Sequence, residues 1–373
     1  MKKTMKLFSL LAMTLVLSGA RVWADGAAAA ATPAAPTVTV NGLVDGYYTF
    51  NFNNAANGAK GTGNNGTFFN TVDDSFSLGL AEASFTATQG QAGGKVVLAY
   101  GQEGNLGLLG QGLDVLQAYV SYNPDQWSFK FGRMATHMGN EVIESNGNWN
   151  YSRSLLFWYP IPLWHTGFSA TFTPDAKFSI MACVHDGWNS TNASHYGKTY
   201  GLQVVLKPES AFSLTLNGIA GPDPTGVTGD SRYVGEGILA WNASDKFSLV
   251  LDGEGGGQDI GTTGSSTFWG AALYGRYQMQ NDLAATLRLE VLKDSQDLMA
   301  IYGATPVGPA TDVEGREVTL TIERNFTPNL LGRLEGRYDY ALSGGTIYAA
   351  GTGPFAGGSA DQLTGTASAI MSF

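Results

Sequence analysis

From Val38 to Phe373 the chain alternates apolar and polar residues with a period of two. Val38, Val40, Gly42, Val44, Gly46, Tyr48, Phe50 and Phe52 share one parity, and Thr39, Asn41, Asp45, Tyr47, Thr49 and Asn51 hold the other. Successive side chains of a strand point to opposite faces, so this pattern predicts a long strand with one apolar and one mostly polar face. About sixteen such segments follow, at roughly 38–52, 74–88, 94–103, 113–123, 126–134, 165–173, 177–186, 199–207, 211–220, 232–242, 246–255, 268–279, 283–294, 314–324, 330–340 and 362–373. Nowhere after residue 37 does a helical period persist.

The connections alternate short and long. The short ones, such as Asn123-Pro124-Asp125, Pro174-Asp175-Ala176 and Gln280-Asn281-Asp282, use the residues that make tight turns. The long ones, such as 53–73, 135–164 and 341–361, are rich in Gly, Asn, Ser and Thr. Aromatic residues flank the short turns: Tyr122 and Trp127, Phe172 and Phe178, Trp241 and Phe247, Tyr277, and Phe326. All but Phe326 share parity with the apolar face. A level of amphipathic rings beside short turns, with long loops opposite, is the arrangement of a transmembrane β-barrel. Two defects interrupt the pattern. Residues 76–80 are out of phase with Ala81, Ala83, Phe85 and Ala87, which predicts a bulge. Arg133 and Arg324 fall on the apolar parity at strand ends, from where long side chains reach the membrane interface.

Composition removes the competing classes. Charged residues are 14% of the chain, against about 25% in soluble domains, and Gly is 50 of 373. The longest apolar run, Leu7 to Leu17, is too short to span a bilayer as a helix. In hydrocarbon every backbone N–H and C=O must find a partner within the protein, and a closed barrel is the remaining way to do so. The expected fold is therefore all-β: an antiparallel up-and-down barrel of about 16 strands over 38–373, with short periplasmic turns and long extracellular loops.

Residues 1–24 read as a secretory signal peptide: Lys2, Lys3 and Lys6, then the apolar run, then Val22-Trp23-Ala24 as a small-x-small cleavage site. Residues 25–37 are an Ala/Pro-rich flexible lead-in. The leader holds four basic residues, which leaves 17 against 31 acidic ones, a formal charge of −14. Such a chain is a poor nucleic-acid binder. One cysteine, Cys183, permits no intrachain disulfide. The expected localisation is the bacterial outer membrane.

The parity opposite the apolar face is charged. Arg288 and Glu290 oppose Leu287 and Leu289; Arg333, Glu335, Arg337 and Asp339 oppose Leu334, Gly336 and Tyr338; Glu317, Thr319, Thr321 and Glu323 oppose Val318, Leu320 and Ile322. Arg276, Gln203, Lys207, Lys130, Asp45 and Glu82 fall on the same side. A dry core does not hold this many charges, whereas a water-filled lumen does. The segment 135–164 is the longest connection and is rich in aromatic and aliphatic residues, which predicts an ordered loop. We expect it to fold into the lumen, so that Glu141, Glu144 and Arg153 join Arg276, Arg288, Glu290, Arg333, Glu335 and Arg337 at a constriction. Opposed charges there set ion selectivity.

The run GNEVIESNGNWNYSRSLLFWYPIPLWHTG, with the later LRLEVLKD and LLGRLEGRYD strands, resembles the porin-2-type, OmpL-like outer-membrane β-barrel family. The resemblance spans nearly the whole chain after the leader. It implies a porin-like barrel without catalytic residues. The terminal strand, with Ala367, Ala369, Met371 and Phe373 on one parity, resembles the signal read by the barrel-assembly machinery.

No catalytic or metal motif emerges. His137, His165, His185 and His195 lack compact ligand spacing, and there is no Cys pair. The glycines at 253 and 255–257 follow a strand without a P-loop lysine and read as a flexible loop. Cys183 reads as part of the strand wall. The leading expectation is a passive diffusion porin without cofactor, with outer-membrane lipids and small hydrophilic solutes as partners and a homotrimer as one expected state. The alternatives are a structural or adhesive barrel acting through its loops, and an outer-membrane hydrolase.

Overall fold

A computed structural model of the chain describes residues 35–53, 64, 66–101, 113–192, 197–222, 231–259, 264–295, 299, 312–342 and 361–373. The segment read as a signal peptide, most of the segment read as a lead-in, and much of the long loops lie outside the described residues. Sixteen strands follow in order: β1 (Thr37–Asn51), β2 (Ser75–Gln89), β3 (Ala92–Tyr100), β4 (Leu113–Tyr122), β5 (Trp127–Ala135), β6 (Trp164–Asp175), β7 (Phe178–His185) and β8 (Thr199–Glu209) make one half. The other half is β9 (Phe212–Pro222), β10 (Ser231–Asn242), β11 (Phe247–Asp259), β12 (Ser265–Gln280), β13 (Leu283–Asp294), β14 (Val313–Thr327), β15 (Leu330–Leu342) and β16 (Asp361–Ser372). Each pairs antiparallel with its sequence neighbours, and β16 pairs back onto β1 to close the barrel.

The two parities separate as the alternation dictates. Leu287, Leu289, Val318, Leu320, Ile322 and Leu334 are exposed on the outside. Arg288, Glu317, Thr319, Thr321 and Arg337 are buried on the inside. The bulge predicted in 76–80 is present: Asp45 pairs with Leu80 but Gly46 with Leu78, so Gly79 is the extra residue. Phe326 joins the outer face because β14 and β15 change register between Asn325 and Thr327.

A second belt of aromatics, Tyr100, Tyr233, Trp269 and Tyr338, lies exposed near the long-loop ends. Tyr233 and Trp241 are eight residues apart on β10, as are Trp269 and Tyr277 on β12. At about 3.3 Å per residue and a tilt near 40°, that is roughly 20 Å along the membrane normal, which suits an apolar band of about 25 Å.

Two sequence expectations are corrected. Gly253 and Gly255–Gly257 are not a flexible loop; they lie within β11, paired to both β10 and β12. A methyl group on Gly256 would stand 2.1 Å from the Tyr233 carbonyl oxygen and 2.6 Å from the Phe268 ring, so close packing requires the missing side chain there. Arg133 does not reach the interface either. Pairing of β4 with β5 stops at Ala118 and Arg133, and Gly132 has φ +136°. In the gap so opened Arg133 is buried, 3.6 Å from the centre of the Trp164 ring and 3.4 Å from an Asp114 carboxylate oxygen.

Candidate functional site

The connection from β5 to β6 turns into the barrel. Its apolar side chains supply the reason: Met138, Ile143, Tyr151, Leu155, Leu156, Phe157, Ile161 and Leu163 are all buried. Gly139, at φ +93°, lets the chain turn where the Ile161 side chain closes in. One short helix, α1 (Leu155–Trp158), is started by Ser154, whose Oγ accepts from the Phe157 N–H at 3.0 Å. Gly270 of β12 makes room for the Leu156 side chain.

A buried loop exposes backbone polar groups that must be satisfied. The inward residues of the wall do this with charge. Glu335 accepts from the N–H groups of Tyr151 and Ser152 at 2.7 and 3.0 Å, and Glu290 from those of Leu155 and Leu156 at 2.8 and 2.7 Å. Glu236 accepts from Gly139 N–H at 2.9 Å. The arginines serve the carbonyls: Arg288 donates to Ser152, Arg333 to Ser145 and Asn148, Arg337 to Arg153, and Arg232 to Tyr159 and Pro160. Ser145 Oγ and the Tyr151 hydroxyl both donate to Asp45 of β1, at 2.5 and 3.2 Å.

The residues singled out by the sequence meet at this seam with one exception. Glu141 pairs with Arg288 at 2.7 Å and accepts from the Ser154 N–H. Arg153 donates to the carbonyls of Val142, Ile143 and Tyr151, folding the loop on itself. The arginines have acidic neighbours of their own: Arg276 and Arg333 bind Glu323, Arg288 binds Glu317, and Arg337 binds Asp339. Glu144 stands apart, in contact with Glu82 of β2. Glu236 and Arg232 were not singled out, although their inward parity on β10 is the same signal that marks Arg288 and Glu290.

The loop occupies the lumen against β9 to β15 and β1. Against β4 to β8 it leaves a cavity of about 360 Å³, lined by Gln117, Lys130, Thr171, Met181, Gln203 and the loop residues His137, Glu141 and Glu144 among others. Sequence spacing could not show that His137, His165 and His185 converge beside this cavity, since loop and barrel closure bring them together. His195 lies outside the described residues.

The barrel resembles solved outer-membrane proteins. An anion-selective porin from Comamonas acidovorans is 12% identical with a TM-score of 0.61, covering 91% of this chain and 100% of that one. The outer membrane channel DcaP of Acinetobacter baumannii is 13% identical with a TM-score of 0.59, covering 92% and 99%. OmpT of Vibrio cholerae, in a trimer form, is 12% identical with a TM-score of 0.62, covering 91% and 100%. At these identities the likeness concerns the fold. No curated protein matches the chain. The family described as "Putative beta-barrel porin-2, OmpL-like" matches residues 37–373, which is the whole barrel. The chain therefore belongs to the OmpL-like, porin-2 family of β-barrel porins.

Proposed function

We propose that the chain is a diffusion channel of the bacterial outer membrane, whose constriction is the loop between β5 and β6. The observation that carries this reading is the closed wall with lipid-compatible residues outside, charges inside, and a loop bound to those charges. Small hydrophilic solutes and ions pass on the β4 to β8 side, where the loop leaves space. The passage carries both signs, with Lys130 on the wall and Glu144 on the loop. The barrel acts without catalysis or cofactor. Its partners are outer-membrane lipids and, through the Phe373 strand, the machinery that inserts barrels. A homotrimer is the assembly we propose, on the likeness to the trimeric OmpT.

Refolded protein in a planar bilayer tests the reading. Stepwise, ohmic conductance with a defined reversal potential in a KCl gradient is the expected result. A folded, inserted barrel that carries no current overturns it and favours a structural or adhesive role.

A further inference from the structure

The wall of the barrel is interrupted beside the cavity. The ladder between β4 and β5 ends at Ala118 and Arg133, yet both strands run on toward the long-loop end. There β4 stays paired with β3 as far as Leu113, and β5 with β6 as far as Ala135. Each strand is thus held on its far side and not by the other, which leaves a slot between them. A bulge deepens it: Val97 pairs with Gln117 but Leu98 with Val115, so Leu116 is the extra residue, and its buried side chain lines the cavity. Ala135, which is exposed and shares the outward parity of Phe131, lines the same cavity. Inward and outward positions of the wall therefore border one space.

In hydrocarbon a strand edge must satisfy its backbone within the protein. At the β4 lip Asp114 does this, accepting from the Val115 N–H at 2.6 Å. The same carboxylate holds Arg133 of the β5 lip at 3.4 Å, and that guanidinium lies 3.6 Å from the centre of the Trp164 ring. Arg133 is the plug of the slot. Side chains rather than ladder hydrogen bonds join the lips, and the Arg133 Nε is buried without a partner. No β4–β5 ladder bond has to break for the lips to part there.

The lining indicates what would use such a slot. Met134, Met138 and Met181 join Leu116 and Phe157 there, and methionine adapts to apolar guests of varied shape. A space of about 360 Å³ falls in the range that holds small molecules. Its acidic side chains are committed, Glu141 to Arg288 and Glu144 to contact with Glu82. Lys130, over the Tyr119 ring at 5.1 Å, has no carboxylate partner among the described residues. It lies three residues from Arg133 on β5, about 10 Å along the strand. We propose that the slot between β4 and β5 is a lateral opening through which a small anionic amphiphile, a fatty acid in kind, passes between the lumenal cavity and the bilayer. Its acidic head sits on Lys130 and its apolar chain points to the slot. This goes beyond diffusion of hydrophilic solutes and stands on the lipid-facing wall, not on ion conduction.

Palmitic acid carrying a diazirine at its chain end, dissolved in the bilayer of liposomes that hold the refolded protein, is the probe. Mass spectrometry locates the photolabelled residues. Label should fall on Leu116, Met134 and Met181 in the lumen as well as on the outer face. Lys130→Gln should lower the lumenal label at least fivefold and leave label at Leu320 of the outer face unchanged. Arg133→Ala should raise the lumenal label severalfold. The decisive form is V115C/A135C in a Cys183→Ser background, joined by a short bis-maleimide before reconstitution, with the untied protein as reference. With the lips tied, lumenal label should be lost and outer-face label kept. Lumenal label that survives the tie shows entry through the long-loop mouth and overturns the lateral opening. Label confined to the outer face of the wild type overturns the lumenal site, and lumenal label indifferent to Lys130→Gln overturns the acidic head. Heat-modifiable mobility on SDS gels confirms that each variant is folded. A barrel that takes the lumenal label but carries no KCl current overturns the diffusion channel and leaves this opening standing.

Discussion

Arg288 of the wall and Glu141 of the inward loop are 2.7 Å apart, and both side chains are closed off from solvent. The same guanidinium holds Glu317 at 2.6 Å and the Ser152 carbonyl at 2.7 Å. Removing it by Arg288→Ala strands two buried carboxylates, a loss of about 3–5 kcal/mol when one partner of a buried pair is taken away. Glu141→Gln is milder, about 1 kcal/mol, because Arg288 keeps Glu317. Trypsin reports the difference. Arg153 is 2% exposed in the native loop, so cleavage after it should be absent in wild type and Glu141→Gln and rapid in Arg288→Ala.

Glu290 and Glu335 each bracket two consecutive loop amides with one carboxylate. A carboxylate accepts with both oxygens, whereas an amide turns one of them into a donor aimed at an N–H. The double variant E290Q/E335Q therefore loses two charge-assisted bonds, each worth about 1.5–3 kcal/mol. The expected outcome is a folded barrel with a loosened loop, seen as increased open-channel current noise in single-channel recordings. Noise at the wild-type level would mean that the apolar packing of Leu155, Leu156 and Phe157 alone holds the loop.

Much of this was legible in the sequence, and the reasons for the rest are physical. Period-two alternation survives in every strand because each face meets a different solvent, so strand positions, the Gly79 bulge and the inward parity of Arg288 and Glu335 could all be read. Parity fails where pairing fails: Arg133 sits at the point where β4 leaves β5, and its direction is set by Asp114 and Trp164. The Gly253–Gly257 stretch looked like a loop because glycine carries no parity; the rings of Phe268 and Tyr233, far away in sequence, fill its place. Glu144 was placed with Glu141 by proximity along the chain, but three residues within an irregular loop do not fix a common direction. The loop's anchors were visible only as charges, since which backbone group each would hold depends on the path of the loop.

Phe373 completes the barrel over Gly42. The two residues exchange backbone hydrogen bonds, Gly42 N–H to the Phe373 carbonyl at 2.7 Å and Phe373 N–H to the Gly42 carbonyl at 3.0 Å. The Phe373 ring covers Gly42 so closely that a methyl group there would stand 2.3 Å from Cζ. Gly42→Leu should displace the ring and weaken the β1–β16 seam, lowering the temperature at which the folded band is lost on SDS gels. Phe373→Ala should do the same by removing the ring. If the seam is where both act, the double variant is no worse than the single ones, since contacting residues do not add.

Deletion of residues 140–158 tests whether the loop is the constriction. It removes the chain that fills the lumen against β11 to β15, and exposes Glu290, Arg333, Glu335 and Arg337 to lumenal water. Those side chains lose loop partners but gain hydration, and Arg333 and Arg337 keep Glu323 and Asp339, so the barrel should still fold. Pore conductance scales with open cross-section, so a rise of several-fold is the expected outcome. The newly hydrated charges should also make the current more sensitive to ionic strength, because free charges in a wide pore are screened over about 10 Å at 0.1 M salt. Unchanged conductance in a deletion variant that still shows the folded-barrel gel shift would place the narrowest point elsewhere, and the seam between loop and wall would then be structural.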